Sequence, residues 1–136
     1  MCIRDRNKWV ENDIVVYHGF KRDVRDYISR SDCVVLPSYR EAIPRTITEA
    51  MSMGKAVITT DVAGCREAVD VGVNGYLADV RSITSLANTM KSYINLGPQA
   101  RHDMGEAGRK KALAEFDDKK IAGHIYDEIR KVLYVS

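Results

Sequence analysis

The feature that most constrains the fold is the alternation of short β-rich runs with segments of helical periodicity. Residues 14–17, 33–36, 56–59 and 76–77 are apolar runs in which β-branched and aromatic residues recur, a pattern typical of strands. The segments between them carry apolar residues at helical spacing. Because strands that alternate with helices form parallel sheets, the sequence predicts an α/β fold: a Rossmann-like parallel sheet with helices on both faces.

Individual elements can be placed from local signals. Residues 33–36 are continuously apolar and stop at Pro37, which predicts a strand buried on both faces. Asp23 can cap a short helix that runs to about residue 30. Pro44 suits the first turn of the next helix and Gly54 suits its end. A further short helix is predicted over residues 66–69.

From Ser82 onward we expect a helical C-terminal tail of three helices. The first should bury one face, and Gly97-Pro98 should end it. The others are expected over about 99–116 and 118–133. The apolar face of the first helix comprises Ile83, Leu86, Ala87, Met90 and Ile94. That of the third helix comprises Ile121, Ile125, Ile129 and Val132. We predict one domain, residues 14–136. Residues 1–13 are interpreted as an irregular end, a tag remnant or a torn terminus.

Composition excludes several classes of protein. The chain has 136 residues, 45% hydrophobic and 29% charged, which is typical of one soluble globular domain. The net charge of +2 gives no argument for nucleic-acid binding. The apolar runs are too short to cross a bilayer, and no signal peptide is evident. Three widely spaced cysteines suit a reducing compartment, so we expect a cytoplasmic protein.

The chemistry concentrates where the strands end. In parallel sheets ligands bind beyond the carboxyl ends of the strands, which here indicates residues 19–23, 37–46 and 60–67. Glu41 lies in the second of these loops, and Glu49 follows inside the predicted helix with seven residues between them. The helix N-terminus between them would attract an anion such as a diphosphate. Two flanking carboxylates would accept hydrogen bonds from sugar hydroxyls.

This segment resembles the donor-site signature of family-4 glycosyltransferases of the GT-B fold. The resemblance rests on the Glu41-x7-Glu49 spacing, the preceding Pro37-Ser38, and the following Ala-Met-x-x-Gly-Lys-Ala-Val-Ile. Three further segments match in order: 17–20, 59–67 and 72–75. The likeness runs from about residue 14 to the C-terminus, nearly the whole chain.

The resemblance implies an enzyme that transfers a sugar from a nucleotide-sugar donor with retention of configuration. The donor would be a UDP-hexose or UDP-N-acetylhexosamine, and the acceptor a glycan or a lipid-linked molecule. This chain would be the C-terminal, donor-binding half, inactive without an N-terminal domain of the same enzyme. No metal or other cofactor is implied. The protein would be cytoplasmic, with peripheral contact at the inner face of the membrane.

The resemblance also implies roles for individual residues. Glu41 would be catalytic, since it would face the donor sugar and support charge at the anomeric carbon. Glu49 would bind the ribose hydroxyls, residues 43–45 would line the sugar and diphosphate, and the loop 19–23 would bracket the nucleobase. The implied donor-binding residues are Glu49, Ile43, Pro44, Arg45, Thr46, Gly19, Phe20, Lys21 and Asp23.

The chain departs from the family pattern at some positions, and some of its residues also have simpler structural explanations. Many family members have Gly-Phe-Gly where this chain has residues 42–44, and Pro44 cannot donate a backbone hydrogen bond. The Arg and Lys that hold the diphosphate in the family lie upstream of the present region. Glu49 could instead form a capping box with Thr46 or an i,i+4 ion pair with Arg45. A non-catalytic nucleotide-binding or interaction module and a GT-B-type epimerase fragment are the alternative functions.

Overall fold

The computed structural model describes residues 3–133, with side chains from residue 5 onward. Its strands are β1 (Cys33–Leu36), β2 (Ala56–Thr60) and β3 (Gly75–Ala78). Its helices are α1 (Ile3–Glu11), α2 (Arg25–Arg30), α3 (Arg45–Ser52), α4 (Ala63–Ala68), α5 (Ile83–Ile94), α6 (Pro98–Glu115) and α7 (Asp118–Leu133). Met1 and Cys2, part of the predicted irregular end, lie outside the described residues.

The three strands form one parallel sheet in the order β1-β2-β3. Cys33 is in register with Ala56, and Val57 with Gly75. All three strands therefore end at the same edge, which we call the carboxyl edge; the chain leaves it at Pro37, Asp61 and Asp79. This arrangement confirms the predicted Rossmann-like α/β fold.

Helices cover both faces of the sheet, as predicted. Alternate residues of β2 point to opposite faces, and the whole strand is buried. Val57 belongs to a core with residues of α3, α4 and α6, whereas Ala56 and Ile58 pack with Tyr93 of α5 and Met104 of α6. β2 is thus the centre of the fold, and the loops at its carboxyl end rest on a well-packed base.

The predicted strand at residues 14–17 is wrong. These residues are exposed, and within residues 3–133 they pair with no strand. A strand is stabilised by hydrogen bonds to a neighbour, so an apolar, β-branched run without one stays irregular. β1 consequently has a single strand neighbour in this sheet. It is half-buried along its length, rather than buried on both faces as predicted.

Helix boundaries differ from the predictions at two places. Residues 3–11 form α1, so the interpretation of residues 1–13 as irregular is wrong for this part. α4 begins at Ala63, three residues before the predicted start at Arg66. The connection between β2 and α4 is therefore only Asp61 and Val62, and Gly64 lies in the first turn of a helix.

The apolar face predicted for α5 is only partly buried, because Leu86 is half-buried against the core whereas the other four residues are exposed. Ile83 is 87% exposed and Ile94 is exposed, whereas Tyr93 is 3% exposed. The Tyr93 hydroxyl donates a hydrogen bond to the Asp32 carbonyl oxygen at 2.8 Å, so the phenol is buried with its polar end satisfied.

The apolar stripe of α7 is exposed as well. This stripe comprises Ile121, Ile125, Ile129 and Val132. In the part of the chain that the structure describes, no helix is long and apolar enough to cross a bilayer.

Candidate donor site

The N-terminus of α3 lies at the carboxyl edge, in the connection that follows β1. Pro44 is its N-cap residue, with φ −75° and ψ 124°, and no side chain caps the helix. The N–H groups of Ile47 and Thr48 both donate to the Pro44 carbonyl oxygen. Arg45 and Thr46 are exposed, and their N–H groups make no hydrogen bond to the described residues. Two backbone donors and the positive end of the helix dipole are therefore available to an anion.

The structure explains how a proline is accommodated here. Pro44 is buried and lies one position before the first helical residue, Arg45, whereas the sequence predicted Pro44 within the first turn. The N–H of an N-cap residue has no partner within a helix, so its absence costs α3 nothing. Ile43, which we predicted to line the donor site, precedes it and is exposed.

Glu49 lies one turn into α3 and pairs with Arg45. Glu49 Oε1 is 3.7 Å from the Arg45 guanidinium, and the two side chains are 47% and 92% exposed. The i,i+4 ion pair considered as a simpler role for Glu49 is thus formed, whereas the described residues contain no hydrogen bond between Thr46 and Glu49. An exposed pair of this kind contributes only about 0.3–0.5 kcal/mol, so it leaves Glu49 able to accept bonds from a ligand.

Glu49 and Arg45 line a cavity of about 750 Å³ together with Arg25 and Thr48. Arg25 lines this cavity but was not among the residues predicted to bind the donor. It is the first residue of α2, and one basic side chain among many gave no signal of its position. The cavity therefore brings two cations, Arg25 and Arg45, together with two carboxylates, Glu49 and Asp118.

Glu41 has different neighbours. It is half-buried, and its Oε1 accepts a hydrogen bond of 2.6 Å from the Ser38 hydroxyl. Burial raises the pKa of the Cys65 thiol in α4, and the nearby negative charge of Glu41 raises it further. Glu41 thus lies beside the connection between β2 and α4, whereas Glu49 contacts Arg45. The two carboxylates flank the start of α3, but they contact different parts of the fold.

The loop 19–23 joins this region through Arg25. Gly19 has φ +66°, the left-handed conformation that glycine adopts without strain. Phe20 is 92% exposed, and Lys21 Nζ lies 5.9 Å from the centre of the Tyr27 ring. Asp23 forms an ion pair of 2.5 Å with Arg25, which lines the cavity that Glu49 also lines.

We expect the Asp23 carboxyl to titrate well below its usual range. Hydrogen bonds from the Arg25 side chain and backbone N–H lower its pKa from 3.8 to about 2. Since a depressed pKa means that the paired form persists above it, the ion pair should hold at neutral pH and be lost only as pH falls through about 2. Carboxyl ¹³C NMR should show this midpoint in the wild type and a clear rise toward 3.8 in Arg25→Gln. An unchanged midpoint in the variant would show that Arg25 is not the cause.

A second cleft, of about 420 Å³, opens along the carboxyl edge on the side of α5. Its lining includes Tyr39, Thr60, Asp79 and Arg81. Arg81 has φ +62°, and its guanidinium lies 5.6 Å from the centre of the Tyr39 ring. Residues 79–82 were not among the predicted site loops, because the brief strand before them gave a weak signal in the sequence.

Among residues 3–133, no group of three or more His, Cys, Asp or Glu side chains is arranged to hold a metal ion. His18, the histidine nearest the site loops, has its ring 4.5 Å from the Tyr27 ring.

Comparison with known proteins assigns the family. Residues 7–111 match the family described as glycosyl transferases group 1. The chain belongs to this family. The match contains β1 to β3, both glutamates and the loop 19–23. It also contains residues 7–13, which were predicted to be part of an irregular end, and it stops before α7.

Relatives of this glycosyltransferase chain share its fold and part of its sequence. The chain is 27% identical over 127 residues to the N,N'-diacetylbacillosaminyl-diphospho-undecaprenol alpha-1,3-N-acetylgalactosaminyltransferase of Campylobacter jejuni, covering 91% of this chain and 33% of the relative. The sucrose-phosphate synthase of Thermosynechococcus elongatus superposes with a TM-score of 0.85 at 26% identity, covering 98% of this chain and 34% of that one. HepE of Anabaena, in a complex with UDP-glucose, superposes with a TM-score of 0.83 at 25% identity, covering 95% and 36%.

The chain spans about a third of the length of these relatives. Its neighbours are GT-B glycosyltransferases, and its fold fits their C-terminal half. The rest of each relative has no counterpart within the 136 residues.

Proposed function

We propose that this chain forms the donor-binding half of a retaining glycosyltransferase that uses a UDP-hexose or UDP-N-acetylhexosamine. The observation that carries the proposal is the uncapped N-terminus of α3, flanked by Glu41 and Glu49 in a chain of this family. HepE, a relative of the same fold, was solved with UDP and with UDP-glucose. A pyrophosphate at this helix start would place the sugar and the ribose on opposite sides of it.

The diphosphate would be held by cations and backbone donors of this chain. The N–H groups of Arg45 and Thr46 are free of other partners among the described residues. The Arg45 and Arg25 side chains line the adjoining cavity. Bidentate guanidinium–phosphate bonds are among the stronger interactions of this kind. We propose that Arg45 and Arg25 exchange their exposed partners, Glu49 and Asp23, for the diphosphate, so that the transfer itself requires neither a metal nor another cofactor.

The two glutamates would bind different parts of the donor. Glu49, in the cavity with Arg25, would accept hydrogen bonds from the ribose hydroxyls, with the loop 19–23 beside the nucleobase. Glu41, held by Ser38, would face the sugar and stabilise positive charge as the anomeric C–O bond breaks. The separate neighbours of the two carboxylates support this division, because each donor fragment requires its own hydrogen-bond acceptor.

The acceptor and the remaining partners extend the proposal beyond this chain. Because the chain spans only a third of its relatives, we propose that a second, N-terminal domain supplies the acceptor site and that this chain alone does not catalyse transfer. The Campylobacter relative acts on an undecaprenol-linked molecule according to its name. By analogy with this relative, we propose a lipid-linked or glycan acceptor. The enzyme would then act in the cytoplasm at the inner face of the membrane.

The proposal is tested by titrating nucleotides into the protein that joins this chain to its second domain. Calorimetry should detect UDP binding at least about tenfold tighter than GDP or ADP binding, a difference of about 1.4 kcal/mol. A screen of UDP-sugars and GDP-sugars should then show hydrolysis or transfer with a UDP-sugar, and NMR of the product should show the donor's anomeric configuration. Binding of UDP without turnover of any sugar nucleotide would favour a non-catalytic module. No binding of any nucleotide would refute the donor site.

A further inference from the structure

The loop that carries Glu41 is held at three backbone carbonyls by one neighbouring segment. The Thr59 hydroxyl oxygen lies 2.8 Å from the Leu36 carbonyl oxygen, within hydrogen-bonding range. The Thr60 hydroxyl donates to the Ser38 carbonyl oxygen, and Ser38 in turn donates from its own hydroxyl to Glu41. The third contact is between Gly64 and the Ala42 carbonyl group. We call residues 59–65, which provide all three contacts, the support segment.

The contact at Gly64 leaves no room for a side chain. A Cβ built on Gly64 would lie 1.7 Å from the Ala42 carbonyl oxygen and 2.1 Å from its carbonyl carbon. These are backbone atoms, so rotation of a side chain cannot relieve the clash. Gly64 is not one of the described glycines with a positive φ, so its backbone conformation alone does not require glycine. Close approach to the Glu41 loop is the structural reason for glycine here.

The support segment is anchored more firmly than the loop. Cys65 and Ala68 of α4 are fully buried in the core that contains Val57. The Asp61 N–H donates to the Ala78 carbonyl oxygen of β3 at 2.8 Å. Ala42 and Ile43, on the other side of the contact, are exposed. Since a packed core resists displacement, a side chain at position 64 should move the loop and not α4.

We propose that Gly64 and Thr60 are positioning residues that fix Glu41 for catalysis. Gly64 sets how close the loop lies to α4, and Thr60 fixes the Ser38 backbone from which the hydroxyl reaches Glu41. Gly64 lines neither of the two cavities, and Thr60, which borders the second cleft, is 3% exposed, so both would act through the loop and not by binding the donor. The inference rests on the proposed catalytic role of Glu41. It gives a role to the support segment, which the proposed donor site does not use.

The first test compares Gly64→Ala with Gly123→Ala in the protein that joins this chain to its second domain. Gly123 lies in α7 and has open space around it, so its variant controls for adding a methyl group to a helix. Gly64→Ala should lower kcat by roughly a hundredfold, the effect of misplacing a catalytic group by about 1 Å. The UDP dissociation constant should change much less than kcat. Gly123→Ala should leave both constants unchanged.

The second test uses the hydroxyl of Thr60 and does not depend on the folding of Gly64→Ala. Thr60→Val keeps the shape of the side chain but removes the donor to Ser38, and it should lower kcat at least about tenfold. Thr60→Ser keeps the donor and should restore most of the activity. Equal losses in Thr60→Val and Thr60→Ser would overturn the positioning role of the hydroxyl.

Hydrogen–deuterium exchange on the same proteins separates this inference from the proposed function. Gly64→Ala should raise exchange in peptides covering residues 37–44 and leave α4 protected, whereas Gly123→Ala should not. If Gly64→Ala and Gly123→Ala show the same exchange in residues 37–44, the inference is overturned. It is also overturned if exchange there rises in Gly64→Ala while kcat stays at the wild-type value. If the wild type turns over no sugar nucleotide, the proposed function fails, and these contacts have no catalytic purpose. The exchange result would still decide whether Gly64 holds the loop in place.

Discussion

Replacing Glu41 by glutamine is expected to lower turnover of the complete enzyme by roughly 10²–10³-fold, with little change in UDP affinity. Losses of this size follow removal of one preorganised group that stabilises transition-state charge. Glutamine keeps the size of the side chain and can still bond with Ser38, so the loop should remain in place. What it loses is the negative charge beside the anomeric carbon. Steady-state kinetics with the UDP-sugar identified by the donor screen measures kcat, and calorimetry measures UDP binding.

A matched control for Glu41 is Glu128→Gln, which removes a carboxylate from the exposed surface of α7. Glu128 pairs only with Lys131 at 2.6 Å among the described residues, so its loss should leave turnover unchanged. If Glu41→Gln and Glu128→Gln have the same kcat, Glu41 has no catalytic role. If Glu41→Gln weakens UDP binding as much as it slows turnover, Glu41 binds the nucleotide and does not act in the chemical step.

Replacing Glu49 by alanine is expected to weaken UDP binding roughly ten- to a hundredfold, about 1.4–2.8 kcal/mol. The expected loss is that of one or two charge-assisted hydrogen bonds to ribose hydroxyls. Because Glu49 would contact the nucleotide in both the ground state and the transition state, kcat at saturating donor should fall less than kcat/KM. Calorimetry with UDP measures the affinity, and it needs no knowledge of the acceptor.

The competing structural role of Glu49 predicts a different result. As an exposed partner of Arg45, Glu49 would contribute only about 0.3–0.5 kcal/mol to folding. Glu49→Ala would then shift the thermal midpoint slightly and leave UDP affinity unchanged. A Glu49→Ala protein that binds UDP like the wild type would remove the ribose role and support the i,i+4 pair as the function of this residue. Glu128→Ala serves as the control for loss of an ion-paired glutamate on a helix surface.

The sequence was a good guide wherever a local signal decided the outcome. β1 and β2 were predicted to within one residue, since an apolar β-branched run bounded by turn residues has few alternatives. The start of α5 was predicted by Ser82, whose hydroxyl accepts a hydrogen bond from the Ser85 N–H. The Glu-x7-Glu spacing likewise indicated the family, which the match over residues 7–111 confirms.

Predictions failed where a residue's state depends on a distant partner. Residues 14–17 have the composition of a strand, but strand formation requires a neighbour, and none of the described residues supplies one. The apolar stripe of α5 was read from spacing alone, whereas burial followed Tyr93, which reaches the Asp32 carbonyl 61 residues away. A contact between residues so far apart in the chain cannot be predicted from a local sequence pattern.

The amino-acid sequence by itself determined where β1 and β2 lie, the parallel character of the sheet, and the adjacency of two glutamates to one helix start. These properties follow from periodicity, capping and covalent spacing, which act within a few residues. Only the tertiary structure decided that Glu41 contacts Ser38 while Glu49 contacts Arg45, that Arg25 joins the cavity, and that Gly64 lies against the Ala42 carbonyl. Those contacts join segments that are separate along the chain, and close packing of the sheet and its helices brings them together.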